Sequence, residues 1–381
     1  MLIYLIYYSV SAYFAWLALN TKDRKKFLLC SAISIALPVI LAGLRDYSIG
    51  VDVQHYLDMP RYWNGAVRRG SFMEYFSYYH RTGAGEYLFA LLLGLVEDIT
   101  NNYHIFLMLC HLVIVTGVYI GAFRHRDTVN PVFILILFYL LFFSHSLNII
   151  RQYMAMAVIF AVLKDLEEGR YVKYTVAVLI ASALHNTALM ALSAMLIHLV
   201  LYSNYKVPTI KGWIVPSLKA RIVFILGGLQ LLVAMFLPAA RILYKIGLFP
   251  EKYAYYLYPQ GLTPALIVMG LLVMELAAVV FCIGLMKRRS FMVAFFAVSS
   301  GCYLILQELT GIISFGKRIA GYYSFSNLVT IALLASSMKN KKARTLAHLL
   351  IGAVALLYWL YIYILRNASE TYPYAFFSFM K

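Results

Sequence analysis

Apolar runs of membrane-spanning length recur along this chain from its first residues almost to its last. The first run, MLIYLIYYSVSAYFAWLAL, contains no charged residue, and a transmembrane helix needs about 20 consecutive apolar residues. Hydrophobic residues make up 63% of the chain and charged residues only 13%, so a soluble domain of 381 residues would lack the polar groups to cover its surface. The sequence therefore predicts an all-α, polytopic integral membrane protein.

The apolar runs indicate about twelve transmembrane helices. They are predicted at 2–20, 27–44, 104–123, 130–147, 149–166, 171–184, 187–203, 217–239, 263–286, 290–307, 319–337 and 345–366. A further run, EYLFALLLGLV at 86–96, is too short to cross and is predicted to form a re-entrant or interfacial helix. We expect one integral membrane domain over 1–381, with an outer-face segment at 45–85 and a second outer loop at 240–262.

The basic residues predict how the chain is oriented. The net charge is +17, but the 33 Lys and Arg residues form short clusters between apolar runs. This pattern follows the positive-inside rule and, without a basic soluble domain, argues against nucleic acid as a partner. If 86–96 does not cross, most of the clusters fall on one side, which is then the cytoplasm. If it does cross, every later cluster moves outside, so we prefer the first arrangement, with both termini outside.

Some basic residues remain on the predicted outer side, where the orientation rule disfavours them and an anionic ligand would favour them. The stretch GLRDYSIGVDVQHYLDMPRYW places Arg45, Asp46 and Asp52 just beyond the second span. Carboxylates among arginines could bind a cation or orient sugar hydroxyls. The alternative is a solvated loop of paired charges, since polar residues collect in loops.

Two further motifs place polar residues at predicted outer helix ends. In SLNIIRQYMAMAVIF, Ser146 and Asn148 are plausible helix caps, and Arg151 follows about a turn inside the helix. An arginine at membrane depth is costly and matches a phosphate through paired hydrogen bonds, although it could simply snorkel to the interface. In ASALHNTALM, His185 sits in a predicted outer hairpin, where it is a candidate general base or an ordinary polar turn residue.

A fourth motif, SFGKRIAGYYSFSNL, places Arg318 and Tyr322 four residues apart on one helix face, next to Lys317. The alternative is an interfacial anchor, because Tyr and Arg are common at headgroup depth. The four cysteines lie inside apolar runs without paired spacing, and the histidines do not cluster as metal ligands do. The sequence therefore predicts no metal site and no cofactor.

Taken in order, GLRDYSIGVDVQHY, NIIRQYMAMAV, ASALHNTALM and KRIAGYYSF resemble the EpsG-like branch of the Wzy-type polysaccharide polymerases over roughly the whole chain. The resemblance assigns the family's motif positions to Arg45, Asp46, Asp52 and Tyr56, to Arg151 and Gln152, to His185, and to Arg318 and Tyr322. Asn186 follows His185 where the family more usually has Ser or Lys, which puts only that neighbour's role in doubt.

The resemblance implies an activity and its partners. The substrates, both donor and acceptor, would be undecaprenyl-pyrophosphate-linked oligosaccharide repeats at the outer face of the bacterial cytoplasmic membrane, with the site facing the periplasm or cell exterior. Membrane lipids would surround the protein, and a chain-length regulator and a flippase are further candidate partners. No cofactor is implied, since the lipid already activates the donor.

The chemistry of such a transfer suggests roles for the motif residues. A pyrophosphate leaving group needs cationic stabilisation, for which Arg151 and Arg318 are candidates. The acceptor hydroxyl needs a general base, for which His185 is the first candidate and Asp52 the second. The candidates for substrate binding are Arg45, Asp46, Tyr56, Asn148, Gln152, Lys317 and Tyr322.

Other activities remain open from the sequence. An O-antigen ligase would use the same donor with a different acceptor, but it usually carries a larger outer domain than the segment between 45 and 103. A non-enzymatic transporter of lipid-linked sugars would be expected to show repeated halves with matching broken helices, and the sequence shows no internal repeat.

Overall fold

The computed structural model describes residues 1–53, 86–100, 102–202, 206–209, 212–247, 298, 316–338 and 340–376, and the statements below concern these residues. The helices are α1 (Leu2–Asn20), α2 (Arg24–Gly43), α3 (Tyr87–Thr100), α4 (Tyr103–Arg124), α5 (Pro131–Phe138), α6 (Ile150–Ala161), α7 (Leu163–Glu167), α8 (Tyr171–Leu184), α9 (Leu192–Tyr202), α10 (Leu218–Lys245), α11 (Gly316–Ser336) and α12 (Lys341–Trp359). α5 continues as a π-helical segment, Tyr139–Phe143, and a short turn, Ser144–Ser146; α12 continues as a second π-helical segment, Leu360–Leu365; and a 3₁₀ helix, Asn186–Ala191, follows α8.

The helix positions agree with the apolar runs, because every predicted span within the described residues coincides with helical structure. The predicted span 263–286 and all of the span 290–307 except Val298 lie outside those residues. Among the described residues, four segments are long and apolar enough to cross a membrane, namely α1, α2, α4 and Lys341–Leu365. The count of about twelve spans stays a prediction, as does the non-crossing of 86–96, which lies within the 14-residue helix α3.

Helices dominate, as an all-α membrane protein requires, with one local exception. Two short strands, β1 (Val207–Thr209) and β2 (Gly212–Ile214), form an antiparallel hairpin in which Val207 pairs with Ile214. This hairpin falls in a predicted cytoplasmic loop rather than in an apolar run, so it leaves the helical assignments unchanged.

The internal contacts divide the chain into two compact units. The first contains 1–165, 172–189 and 331–381, and the second contains 166–171 and 190–330. The single membrane domain predicted over 1–381 stays a prediction, together with its outer segment 45–85 and outer loop 240–262, much of which lies outside the described residues.

The core of the first unit is built on α4, which packs against α2 and α6, while α1 packs against α2. The approach of α4 to α6 is close enough to require glycine. A Cβ at Gly117 would lie 2.6 Å from the carbonyl oxygen of Ala157, and one at Gly121 would lie 2.3 Å from the ring of Phe160. Small residues of this kind let membrane helices pack backbone to backbone.

Hydrogen bonds between buried hydroxyls connect helices in this core. Ser11 on α1 donates to the carbonyl of Ser34 on α2 at 2.7 Å, and its hydroxyl also lies 2.6 Å from that of Tyr139. Several helices begin with a side-chain cap, as expected of Asp, Asn and Ser at these positions. These caps are Asp23 of α2, Asn102 of α4, Asn130 of α5, Ser217 of α10 and Asn340 of α12.

The loop 45–53 lies at one end of the first unit, next to the ends of α2 and α4. His104, in the first turn of α4, bonds the carbonyl of Gly43 at the end of α2 through Nδ1 at 2.7 Å. The C-terminal segment 367–376 folds back over this end, where Ala375 and Glu370 accept hydrogen bonds from the backbone of Asp46 and Gly50. Gly50 has φ +94, a conformation that a side chain would strain. The loop 45–53 is therefore held between the C-terminal segment and the helix ends.

Candidate active site

The site is centred on a carboxylate, Glu86, which immediately precedes α3. Its two oxygens accept hydrogen bonds from Arg151 Nη1 and from His185 Nδ1, and the backbone N–H of Asn186 lies 3.4 Å from the second oxygen. Glu86 is only 5% exposed. One buried carboxylate thus joins the start of α3, the first turn of α6 and the end of α8.

The surroundings of His185 determine which of its ring nitrogens carries a proton. It is the residue after the last turn of α8, where its backbone N–H still bonds the carbonyl of Ala181. A carboxylate only accepts hydrogen bonds, so Nδ1 carries the proton and Nε2 of the neutral ring has a free lone pair. Nε2 is buried and has no hydrogen-bond partner within the described part of the chain. A histidine oriented by a carboxylate is the arrangement that general-base catalysis uses.

The charge state of Glu86 follows from its neighbours. Burial by itself raises the pKa of the carboxyl, but the hydrogen bond from His185 and the positive charge of Arg151 outweigh that effect. The pKa of Glu86 therefore lies below its ordinary value, so the group is ionised at neutral pH. An anion in this position can stabilise an imidazolium on His185 when the ring takes up a proton.

Arg151 pairs with this buried carboxylate, although its side chain is still one-quarter exposed. Its guanidinium carbon also lies 5.5 Å from the centre of the Phe89 ring, which is a cation–π distance. The ion pair fixes the arginine near the candidate base. A guanidinium carries five N–H donors, so pairing with Glu86 does not by itself exhaust its capacity to bind an anion.

The expected helix caps at Ser146 and Asn148 are wrong. α6 begins after Ile149 and has no side-chain cap. The Ser146 hydroxyl instead donates to the carbonyl of Phe143 at 2.7 Å, and the Asn148 side-chain oxygen accepts from the backbone N–H of Asp52 at 2.7 Å. Asn148 therefore connects the loop 45–53, called the acidic loop below, to the helix that carries Arg151, which is a different role from capping.

The loop residues occupy distinct positions. Arg45 is fully buried, and its Nη2 donates to the carbonyl of Leu147 at 2.9 Å. Burial lowers the pKa of its guanidinium to about 10, which still leaves it charged at neutral pH. Asp46 accepts from the backbone N–H and the hydroxyl of Ser48, at 3.0 and 2.7 Å. Asp52 is half-buried, and the structure thus brings Asp52 close to Asn148 but holds Arg45 out of contact with solvent.

The remaining predicted site residues with a described position lie on α6 and α11. Gln152 is buried on α6. Lys317, Arg318 and Tyr322 belong to α11 in the second unit, where Arg318 is exposed and Tyr322 is buried. The pairing of Arg151 with Arg318 on one ligand stays a prediction, and Tyr56 lies outside the described residues.

The sequence motifs do not single out Glu86, which is the first residue of the apolar run 86–96. The available signal was a lone carboxylate next to an apolar run, in a chain whose predicted outer side also carries arginines and a histidine. In the described residues, no group of three or more His, Cys, Asp or Glu side chains is placed to hold a metal ion. Cys30 and Cys110 are free thiols, and the other two cysteines lie outside those residues.

Comparison with known proteins gives one match. A family model described as the EpsG family matches residues 26–376, which includes the acidic loop, Glu86, Arg151, His185 and α11. No curated protein and no solved structure matches the chain.

Proposed function

The chain belongs to the EpsG family, and we propose that it is a membrane glycosyltransferase that polymerises lipid-linked oligosaccharides. Family membership and the apolar helices support a polysaccharide-polymerase-like membrane protein. We further propose undecaprenyl-pyrophosphate-linked repeats as donor and acceptor, and a reaction at the outer face of the bacterial cytoplasmic membrane. The observation that supports an enzyme best is the Glu86–His185 pair, in which Nε2 of the histidine has no hydrogen-bond partner among the described residues.

The proposed reaction is a displacement at the anomeric carbon of the donor. A hydroxyl of the acceptor sugar attacks that carbon while its proton passes to Nε2 of His185. The new glycosidic bond forms as the bond from the anomeric carbon to the pyrophosphate oxygen breaks, and the electron pair leaves with the lipid pyrophosphate. Glu86 keeps the imidazole in the required tautomer and stabilises its positive charge. Asp52 remains the second candidate for the base.

The leaving group requires positive charge, since the departing pyrophosphate gains negative charge in the transition state. We propose Arg151 and Arg318 for this role. Arg151 and His185 both donate a hydrogen bond to Glu86. The group that accepts the proton and the group that stabilises the leaving phosphate would therefore belong to one cluster. The candidates for holding the sugars and the headgroup stay Arg45, Asp46, Asp52, Tyr56, Asn148, Gln152, Lys317 and Tyr322.

An in vitro assay with purified lipid-linked repeats tests this function. A polymerase yields a ladder of lengths from one substrate, a ligase yields single additions to another acceptor, and a transporter yields no new glycosidic bond. The ladder should be present with the wild-type protein, and its absence with an authentic substrate would contradict the proposal.

The role of His185 is tested in the same assay. His185→Ala should lower turnover roughly 10²- to 10⁴-fold, the usual contribution of general acid–base catalysis. His125→Ala is the matched control, because His125 is also buried but follows the last residue of α4 and does not belong to the Glu86 cluster. A His185→Ala protein that keeps wild-type turnover both above and below the usual histidine pKa of about 6.5 would rule out the role.

A further inference from the structure

A groove runs along α5 in the first unit, away from the Glu86 cluster. It has a volume of about 570 Å³ and is walled by α1 on one side and α12 on the other. Phe133 and Tyr139 form part of its floor, while Leu5 on α1 and Leu349 and Leu356 on α12 form its sides. All three helices lie in or beside candidate membrane spans or shorter apolar helices, so an apolar groove between them is suited to a hydrocarbon chain.

The groove continues into a basic mouth at the amino ends of α5 and α12. This second hollow, of about 530 Å³, is lined by Lys341, Arg344 and His348 together with Asn130 and Thr345. Lys341 and Arg344 are exposed, and none of the residues lining the mouth is a carboxylate. Both helix amino termini also direct a partial positive charge toward this end. The mouth is therefore suited to an anion.

His348 connects the two parts, since it lines both the groove and the mouth. Its Nδ1 lies 2.7 Å from the carbonyl oxygen of Arg344, so that nitrogen must donate and Nε2 is the ring's remaining polar atom. The ring also packs edge-on against Phe133, with 4.6 Å between the ring centres. His348 therefore lies at the boundary between the basic mouth and the apolar groove, the position that corresponds to the junction of headgroup and acyl chain in a lipid.

The length of the groove is close to the thickness of one leaflet of the hydrocarbon core. Leu356 lies twelve positions after Arg344, and at about 1.5 Å per residue this distance is roughly 18 Å. One leaflet of the hydrocarbon core is about 15 Å thick, half of about 30 Å. A chain that begins at the basic mouth would therefore end near the bilayer midplane, which is the reach of a fatty acyl chain.

We propose that this groove binds one anionic phospholipid, with its phosphate at Lys341 and Arg344 and an acyl chain along α5 between α1 and α12. The lipid belongs to the leaflet at the amino end of α12, which the charge distribution predicts to be cytoplasmic. The site lies at the end of α5 opposite to the Glu86 cluster, so the proposal does not depend on the proposed reaction.

The test uses the full-length protein in vesicles of equal parts phosphatidylcholine and phosphatidylglycerol, extracted in mild detergent and analysed by native mass spectrometry. Wild-type protein should retain one phosphatidylglycerol per chain. Each basic residue near a membrane surface adds roughly a fivefold factor to anionic-lipid binding, so Lys341→Ala with Arg344→Ala should weaken retention about 25-fold. Lys25→Ala with Lys26→Ala is the matched control and should retain the lipid, since these exposed lysines start another span on the same predicted side.

A second variant tests the apolar part. Gly352 lines the groove, and a Cβ placed there meets only Phe133, at 4.0 Å, so Gly352→Leu should fit without a clash and fill the space. It should reduce lipid retention while leaving the thermal unfolding temperature of the delipidated protein unchanged or higher. Equal retention of phosphatidylglycerol in the Lys341/Arg344 and Lys25/Lys26 variants would overturn the proposal. So would binding of inorganic phosphate in place of the lipid when the vesicles contain phosphatidylcholine alone. A doubled mass that Gly352→Leu abolishes would show that a second chain fills the groove, which would also overturn it.

Discussion

At the scale of single residues, one carboxylate determines the character of the site. Glu86 is buried, accepts from both Arg151 and His185, and is ionised because these partners outweigh the cost of its burial. A buried carboxylate without such partners would take up a proton instead. We propose Glu86 as a positioning residue, since its described contacts are with His185 and Arg151.

Glu86→Gln tests this assignment, because it keeps the shape of the side chain and removes its charge. A hydrogen bond to a charged group contributes about 1.5–3 kcal/mol, so turnover should fall roughly ten- to hundredfold. The lowered pKa of Glu86 also predicts a stabilisation that is present above the ordinary carboxyl pKa of about 4.3 and is lost as the pH falls through the folded value. Wild-type thermal stability should show this acid loss, and Glu86→Gln should lack it.

The control for this substitution is Asp165→Asn. Asp165 is a fully buried carboxylate that pairs with Arg124 and lies 3.2 Å from Lys173 Nζ, within the same unit. It should lower stability and leave the polymerisation rate per folded molecule unchanged. If Glu86→Gln behaves in the same way, Glu86 is only a structural ion-pair partner.

At the scale of elements, the site is made of helix ends. Glu86 precedes α3, Arg151 lies in the first turn of α6, and His185 follows α8. Backbone groups at helix ends are not satisfied within the helix, and side chains there can turn toward a neighbouring element. Three elements that each present one polar residue at the same end of the unit can therefore form a cluster that no single helix contains.

Arg151→Lys tests what the first turn of α6 contributes. An ammonium cannot reproduce the paired hydrogen bonds of a guanidinium to a phosphate or a carboxylate, so polymerisation should fall about tenfold or more. Arg124→Lys is a close control, because Arg124 is also one-quarter exposed and also pairs with a buried carboxylate, but at the far end of α4. Equal activity in the two variants would leave Arg151 as an interfacial or structural arginine. A rise in apparent donor Km in Arg151→Lys would indicate ground-state binding, and a fall in kcat would indicate leaving-group stabilisation.

At the scale of the whole molecule, the orientation of the chain in the membrane rests on its basic clusters. Ser48, in the acidic loop, and Arg126, after α4, are both exposed and lie at opposite ends of the first unit. The charge distribution predicts that the loop lies outside and that Arg126 lies in the cytoplasm. The predicted topology and the proposed outer site therefore depend on the same assignment.

Cysteine labelling decides this orientation. In a background in which activity is retained after the native cysteines are replaced, Ser48→Cys should react with a membrane-impermeant maleimide added to intact cells. Arg126→Cys should react only after the membrane is permeabilised. The reverse pattern would place the Glu86 cluster in the cytoplasm and contradict an outer-face reaction.

The sequence by itself determined the membrane class and the helices. Apolar runs impose a spanning helix locally, because a backbone in hydrocarbon must satisfy its own hydrogen bonds, and the predicted run 171–184 coincides with α8. The ordered motifs also indicated the family that the match over 26–376 shows. His185 and Arg151 were singled out because charge and titratable groups are conspicuous at the ends of apolar helices.

Only the tertiary structure decided how these residues are paired. Glu86 meets Arg151 across 65 positions of the chain and His185 across 99, and no local period encodes contacts at such separations. The caps expected at Ser146 and Asn148 failed for the same reason, since Asn148 is drawn to Asp52 across 96 positions. A side chain's local preference is weaker than the cost of leaving a buried polar group without a partner, and which partner it finds depends on how the helices pack.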